Sequence, residues 1–436
     1  MQNSHSKQKL RVLVSAYACE WGKGSEPGIG WNWVRQIARF EEVWVLTRAN
    51  NRERIEKALA VQPLFHTQFI YYDLPRWARF WKKGQHGIRT YYYAWQLGAY
   101  FAARKVHRRV RFDLVHHVTF GKYWLPSFLA FLPTPFLWGP VGGGESAPRN
   151  FLPSLSARGR VYEFCRDVAR SLGELDPFVR FTARRAAVGL ATTCQTQRRL
   201  RALGCREVPI FSHAALAQEE IQQLGKLPIR QSNPFRVFSV GGLLHLKAYH
   251  LGLKAFALLH RQFPQCEYWL IGSGPERTRL EKLAKDLGVF EFVTFCGALP
   301  RGEVLTKFAQ CDVLLHPALH ESSGWASIEA MAAGRPVICL DLGGAALQVT
   351  EETGIKVPAH SPEQAVKQLA EGLAYLAPNP SLRARLGQSA QARVQDQFNW
   401  ERKGEDLQSL YRQLAAPHRL HLNGAGSLKA THPIGT

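Results

Sequence analysis

Glu321 and Glu329 stand with seven residues between them in the segment 316–341, HPALHESSGWASIEAMAAGRPVICLD. The apolar run Val313–His316 reads as a strand, and Ser327–Ala333 reads as a helix ended by Gly334. Glu321 therefore falls in a strand-to-helix loop and Glu329 inside the helix. Ser322, Ser323 and Gly324 open that helix, whose first N–H groups have no intrahelical acceptor. Such an end attracts phosphate through its dipole and free donors. Carboxylates beside it can accept hydrogen bonds from ribose or sugar hydroxyls. On spacing alone the alternative is a surface glutamate followed by a solvated helix residue.

The elements that must position these groups repeat twice. In the first half, Leu10–Ala16 is a strand, followed by a glycine-rich stretch and by helical periodicity from Trp31 to Phe40. Val43–Thr47, Phe69–Tyr72, Asp113–Val118 and Phe136–Gly139 read as further strands. The pattern restarts with strand Arg236–Val240, helix Leu251–Phe263, strand Tyr268–Ile271 and helix Glu276–Leu287. Strand Phe292–Phe295, helix Arg301–Gln310 and strand Pro336–Asp341 complete it. Strands alternating with helices imply an α/β fold with two parallel-sheet, Rossmann-like domains facing a central cleft. The expected bounds are 1–213 for the first domain, 214–234 for a polar linker and 235–394 for the second domain. A disordered tail is expected over 417–436. Ligands in such folds bind at the carboxyl ends of the strands, where helix N-termini converge.

Composition narrows the class. The 436 residues are 46% hydrophobic and 21% charged, which is globular rather than disordered. No apolar run reaches the ~18 residues of a membrane span, and the first residues lack the apolar segment of a secretory signal. The net charge is +22, and residues 1–234 hold 35 basic against 16 acidic side chains, a net +19. That asymmetry points to an anionic partner for the first half. The eight cysteines form no CxxC pair and no zinc spacing, so buried, reduced thiols are expected.

The E-x7-E segment resembles the signature of family 4 retaining glycosyltransferases of the GT-B fold. The surroundings are similar in order and spacing over roughly 170 residues: FSVGGLLHLK (238–247), LIGSGPE (270–276), DVLLHP (312–317) and GRPVICLDLGG (334–344). FNWERKGEDLQSL (398–410) resembles the terminal helix, here 395–416, that crosses back to the first domain. The resemblance implies a nucleoside diphosphate sugar as donor substrate, with no metal or other cofactor. Lys247 would contact the donor diphosphate, beside the turns at Gly241, Gly242, Gly272 and Gly274. Glu329 would hold the donor ribose, and Glu321 would touch the transferred sugar. Backbone N–H groups around Ser323, Gly324 and Trp325 would bind sugar or phosphate oxygens. The family's usual arginine five residues before the lysine is here Gly242. Either another basic residue substitutes, His245 being the nearest, or donor binding is weaker.

In the first half, the loop GKGSEPGIG (22–30) resembles the family's glycine-rich loop near the donor diphosphate, with Gly28 and Gly30 allowing close approach. DLVHHVT (113–119) resembles its D-x-x-H-x-H segment, so His116 or His117 would be the active-site histidine. Strand alternation keeps both from facing the cleft without a bulge. In WGPVGGGESAP (138–148), Gly143 could shape the acceptor side and Glu145 bind an acceptor hydroxyl; a tight strand-to-helix loop is the alternative.

Residues 74–112 hold ten Lys or Arg, no Asp or Glu, and Trp77, Trp81, Trp95 and Tyr91–Tyr93. This composition suits an anionic membrane interface. Nucleic-acid binding, not expected here, and a basic face over a core are the alternatives. The expectation is a retaining, metal-independent glycosyltransferase, cytoplasmic and peripheral on the inner membrane face. Its acceptor would be a lipid-linked or polysaccharide glycan in cell-surface or exopolysaccharide synthesis. An epimerase or phosphorylase on the same fold, or an inactive basic binding protein, are the alternatives.

Overall fold

The computed structural model describes residues 9–79, 87–229 and 233–415. Trp81 and the segment 417–436 lie outside them. Among the described residues, twelve strands form two six-stranded parallel sheets. The first sheet contains β1 (Arg11–Ser15), β2 (Glu42–Arg48), β3 (Thr67–Tyr72), β4 (Leu114–His117), β5 (Phe136–Val141) and β6 (Val188–Ala191), in the order 3-2-1-4-5-6. The second contains β7 (Phe235–Val240), β8 (Cys266–Ile271), β9 (Val293–Gly297), β10 (Val313–His316), β11 (Val337–Leu340) and β12 (Gly354–Val357). Its order, β12-β11-β10-β7-β8-β9, is the same arrangement repeated. In each sheet the order reverses between the first and fourth strands, which opens a crevice at their carboxyl ends.

Side-chain alternation builds a core on both faces of each sheet. On β1, Val12 and Val14 pack with Trp33 and Trp400, while Leu13 points to the opposite core with Trp95. On β7, Val237 joins the core of Leu251 and Leu253, while Phe238 joins that of Ile328 and Met331. The helix Trp400–Ala415 crosses back to the first domain as expected, with Trp400 edge-on to Trp33 at 5.1 Å.

Several local expectations change. The first helix spans Ser25–Ala38 rather than starting at Trp31, so Gly28 and Gly30 are helical. A Cβ at Gly28 would lie 1.9 Å from the Lys23 carbonyl oxygen, and one at Gly30 would lie 2.0 Å from that of Ala18. These glycines let the helix pack on its own preceding loop. The segment 214–234 is not a free linker. Ala214, Leu216, Ile221 and Leu224 are buried in the core of the second domain, and Gln218–Gly225 is helical. Its apolar positions at helical spacing override its polar average. The chain crosses between domains at Leu216, whose N–H donates to the Phe398 carbonyl at 2.8 Å and whose carbonyl accepts from Trp400 at 3.1 Å. All eight cysteines are free; Cys165 and Cys194 are exposed and Cys296 half-buried, against the expectation of burial.

Candidate active site

The glycine turns after β7 and β8 interlock at the mouth of the second sheet. A Cβ at Gly272 would sit 2.0 Å from the Gly241 carbonyl oxygen, and one at Gly274 would sit 2.4 Å from that of Leu243. Gly241 and Gly272 also adopt positive φ, +139° and +145°. The turn after β7 then carries a single 3₁₀ turn, His245–Lys247. It brings Lys247 to the loop that follows β10.

There Lys247 Nζ donates to Glu321 Oε2 at 2.7 Å, and His316 Nε2 lies 2.9 Å from the same oxygen. Burial alone would raise the Glu321 pKa, but Lys247 and His316 hold the carboxyl well below the usual range. Glu329 lies within the helix Trp325–Ala332, where Arg301 Nη1 donates to its Oε1 at 2.7 Å. Burial raises its pKa against the pull of Arg301. Its Oε2 has no hydrogen-bond partner among the described residues and remains free to accept a hydroxyl. Gly324 caps this helix with φ +61°, and a Cβ there would meet Gln348 Oε1 at 2.6 Å.

The first domain grips the loop around Glu321 residue by residue. His320 Nε2 is 2.8 Å from Glu163 Oε1. Ser322 Oγ donates to Glu145 Oε2 at 2.6 Å. His213 Nε2 is 2.6 Å from Ser323 Oγ. Glu321 between them is left to Lys247. Glu163 Oε1 also takes His245 Nε2 at 2.8 Å, so two histidines of the second domain converge on one carboxylate of the first. Burial works against the Glu163 charge, but the two imidazoles and Arg166 hold its pKa well below the usual range. Among the described residues this trio is the one group whose ligand atoms lie close enough together, within 4.8 Å, to hold a metal ion. Arg166 Nη1 lies 3.9 Å from Glu163 Oε2 and already supplies positive charge there. His245 is thus committed to Glu163 and does not replace the missing arginine at Gly242.

Glu145 is buried, and both its oxygens are occupied. Oε2 accepts from the Gly143 N–H at 2.9 Å as well as from Ser322, and Oε1 accepts from Thr193 and Thr196 at 2.5 and 2.8 Å. It ties the domains together, and an acceptor hydroxyl would have to displace one of these donors. Gly143 is required locally, since a Cβ would meet the Trp124 ring at 2.5 Å.

The β4 histidines do not line the cleft. His116 Nδ1 is 2.7 Å from the Tyr411 hydroxyl on the crossing helix, and its Nε2 is 2.5 Å from the Gly139 carbonyl oxygen. His117 points to the other face, 3.2 Å from the Tyr92 hydroxyl. Burial lowers their pKa values to about 3 and about 4. Sequence reading pointed to the glutamates through spacing and to Lys247 through the family resemblance. It missed Glu163, His213 and His320, whose partners are up to 157 residues away.

Residues 223–393 match the family model described as glycosyl transferases group 1. A D-inositol 3-phosphate glycosyltransferase of Corynebacterium jeikeium (strain K411) is 31% identical over 205 residues, 44% of this chain and 48% of that protein. The chain spans about half the length of such curated relatives. Sucrose-phosphate synthase from Thermosynechococcus elongatus superposes with TM-score 0.63 at 20% identity, over 93% of this chain and 99% of that one. Anabaena Alr3699/HepE, solved with UDP, gives TM-score 0.60 at 17% identity, over 93% and 100%. The chain has the GT-B glycosyltransferase fold, with its group 1 match in the second half.

Proposed function

We propose that the protein is a retaining, metal-independent glycosyltransferase that moves a sugar from a nucleoside diphosphate sugar to an acceptor hydroxyl. The observation that carries this reading is the Lys247–Glu321 pair, set at the mouth of the second sheet beside the uncommitted Glu329 Oε2. Glu329 would accept from the donor ribose, and Lys247 would offset charge on the departing diphosphate. Glu321 holds that ammonium in place and would face the transferred sugar. The anomeric C–O bond breaks with its electron pair moving to the diphosphate. The acceptor oxygen bonds to the same face of the sugar, and its proton passes to a departing phosphate oxygen. Fixed charge aimed at the leaving group is the main source of acceleration in such a site. His116 and His117 take no part, because both are buried away from the cleft.

The acceptor in this reading is a lipid-linked or polysaccharide glycan of cell-surface or exopolysaccharide biosynthesis, met at the cytoplasmic face of a membrane. The basic first half supports an anionic acceptor or surface. A second reading, favoured by the Corynebacterium relative, is a phosphorylated cyclitol acceptor. The donor site is tested by thermal shift in EDTA with UDP, GDP, ADP and their sugar conjugates, on wild type and Glu329→Ala. UDP comes first, since the Anabaena protein was solved with it. A ligand at ~100 times its Kd stabilises by about 2.7 kcal/mol. A response to one nucleotide, lost in the variant, supports the reading; a flat response from folded protein overturns it. Product analysis with the responding donor then separates transfer from epimerisation or phosphorolysis.

A further inference from the structure

In the stretch 74–112, Tyr91, Tyr92 and Trp95 are fully buried, while Trp77, Leu97 and Phe101 are exposed. A further run of exposed apolar side chains lies on another helix of the first domain. On the 19-residue helix Ala157–Leu175, Val161, Phe164, Val168, Leu172 and Leu175 recur at intervals of three and four, one stripe about 21 Å long. Phe164 is 69% exposed, Leu172 64% and Leu175 68%. The stripe continues onto the next helix, Pro177–Arg185, through the half-exposed Phe178 and Phe181. Phe131 stacks on Phe181 at 4.2 Å and meets Tyr100 at 6.1 Å, which carries the surface to the exposed Phe101. A contiguous apolar face of this kind marks an interaction site.

Charge identifies the partner. The helices Ile88–Val110 and Pro177–Arg185 contain no acidic residue. They expose Arg104, Lys105, Arg108 and Arg109, and Arg180, Arg184 and Arg185, none with a carboxylate partner among the described residues. The acids of the striped helix are all engaged: Glu163 with two histidines, Asp167 with Arg170 at 2.6 Å and Glu174 with Arg199 at 3.0 Å. An apolar stripe flanked by unpaired cations matches an anionic lipid surface, with acyl chains under the stripe and headgroups at the arginines.

The geometry points to a membrane-docking face along Ala157–Leu175, with an anionic bilayer as its partner. The opposite side of the same helix carries Glu163, Arg166 and Arg170 toward the cleft, so docking sets the cleft mouth beside the headgroups. This deepens the reading of a membrane-held acceptor, though docking does not depend on the transfer chemistry. The test is co-sedimentation of the full chain with phosphatidylcholine vesicles, with and without phosphatidylglycerol. Wild type and Phe164→Glu/Leu172→Glu are compared; both positions are exposed, and the nucleotide thermal shift reports an intact fold and donor site. The expected result is binding to anionic vesicles only, weakened about tenfold or more in the double variant. Binding that is absent, or unchanged by the double variant, overturns the inference. Self-association of wild type without lipid, abolished by the variant, also overturns it and makes the face a contact between copies. A flat nucleotide response alongside lipid binding would sink the donor reading and leave the docking face standing.

Discussion

The fourth strand of each sheet ends in histidine, at the same place beside the first strand. β4 reads LVHH and β10 reads VLLH. The two histidines have different fates. His117 is buried against the Tyr92 hydroxyl, and burial lowers its pKa to about 4. His316 lies 2.9 Å from Glu321, which also holds Lys247. Architecture places a residue at a ligand-binding edge, but the loop that follows decides whether it meets a charge or a core. In the first domain the crossing helix and Tyr92 fill the space around the strand end; in the second, the following loop and the turn after β7 bring Glu321 and Lys247 there.

The sharpest way to break this comparison is to disable both ends. Lys247→Met removes the one cation that faces Glu321 from the turn after β7. It is expected to lower kcat/KM on the order of 10²–10³-fold, as loss of a single preorganised charge does. His117→Gln is expected to leave turnover within about threefold, because a buried structural histidine makes no contact with reacting groups. Steady-state kinetics on the donor found by thermal shift checks both. Equal losses would mean that the first domain supplies chemistry after all.

The clamp comes next in size. Glu163→Ala strips His245 and His320 of their shared partner, and breaking a buried pair costs roughly 3–5 kcal/mol. Because the bond crosses the cleft, the loss is expected to appear as domain opening before global unfolding. Small-angle scattering checks it through a larger radius of gyration, and a variant as compact as wild type would refute the clamp.

The pH dependence separates the halves. His116 has a folded pKa lowered by burial to about 3, against about 6.5 unfolded. Its contribution to stability is therefore full above pH ~6.5 and lost as pH falls toward ~3. Glu321 has a folded pKa below its unfolded value near 4.3, so its contribution is full above pH ~4.3 and lost only below that. One proton's difference corresponds to a slope of about 1.4 kcal/mol per pH unit. His116→Asn is expected to flatten the stability curve between pH 6 and 4, and Glu321→Gln only beneath it. Urea denaturation across pH gives both slopes, and identical profiles would erase the contrast.

What was legible in the sequence follows the same divide. Strand runs and the E-x7-E spacing singled out Glu321 and Glu329, because residues on one loop and one helix keep their relations locally; the family resemblance singled out Lys247, which the fold brings to Glu321. The surroundings of His116, Gly28 and Gly30 were not legible, since they come from Tyr411 and from the exact start of a helix. The bond from Ser322 to Glu145 was not legible, because Ser322 reaches it from the other domain. The membrane expectation fell on 74–112 by composition. Burial, which no composition contains, withdraws Tyr91, Tyr92 and Trp95 of that stretch from the surface and leaves Trp77 and Phe101 exposed, while a longer apolar stripe lies along Ala157–Leu175.

The smallest expected effect concerns Gly242, where a basic residue would complete the turn opposite Lys247. A Cβ there meets nothing closer than 3.5 Å, so a side chain is sterically admitted. The buried cation tied to this region is Arg166. Its Nη2 donates to the Gly143 carbonyl at 3.0 Å, while its Nη1 is buried without a hydrogen-bond partner. If Arg166 supplies the second positive charge, Gly242→Arg alone should raise nucleotide affinity only about threefold, since an exposed ion pair adds little where charge is already offset. Arg166→Met should weaken nucleoside diphosphate binding about tenfold while sparing the uncharged nucleoside. Adding Gly242→Arg to Arg166→Met should then recover most of that loss. Calorimetric titration of diphosphate against nucleoside reads all three. A large gain from Gly242→Arg in the wild type would instead show that the turn lacks its cation, and that the first domain offers none in exchange.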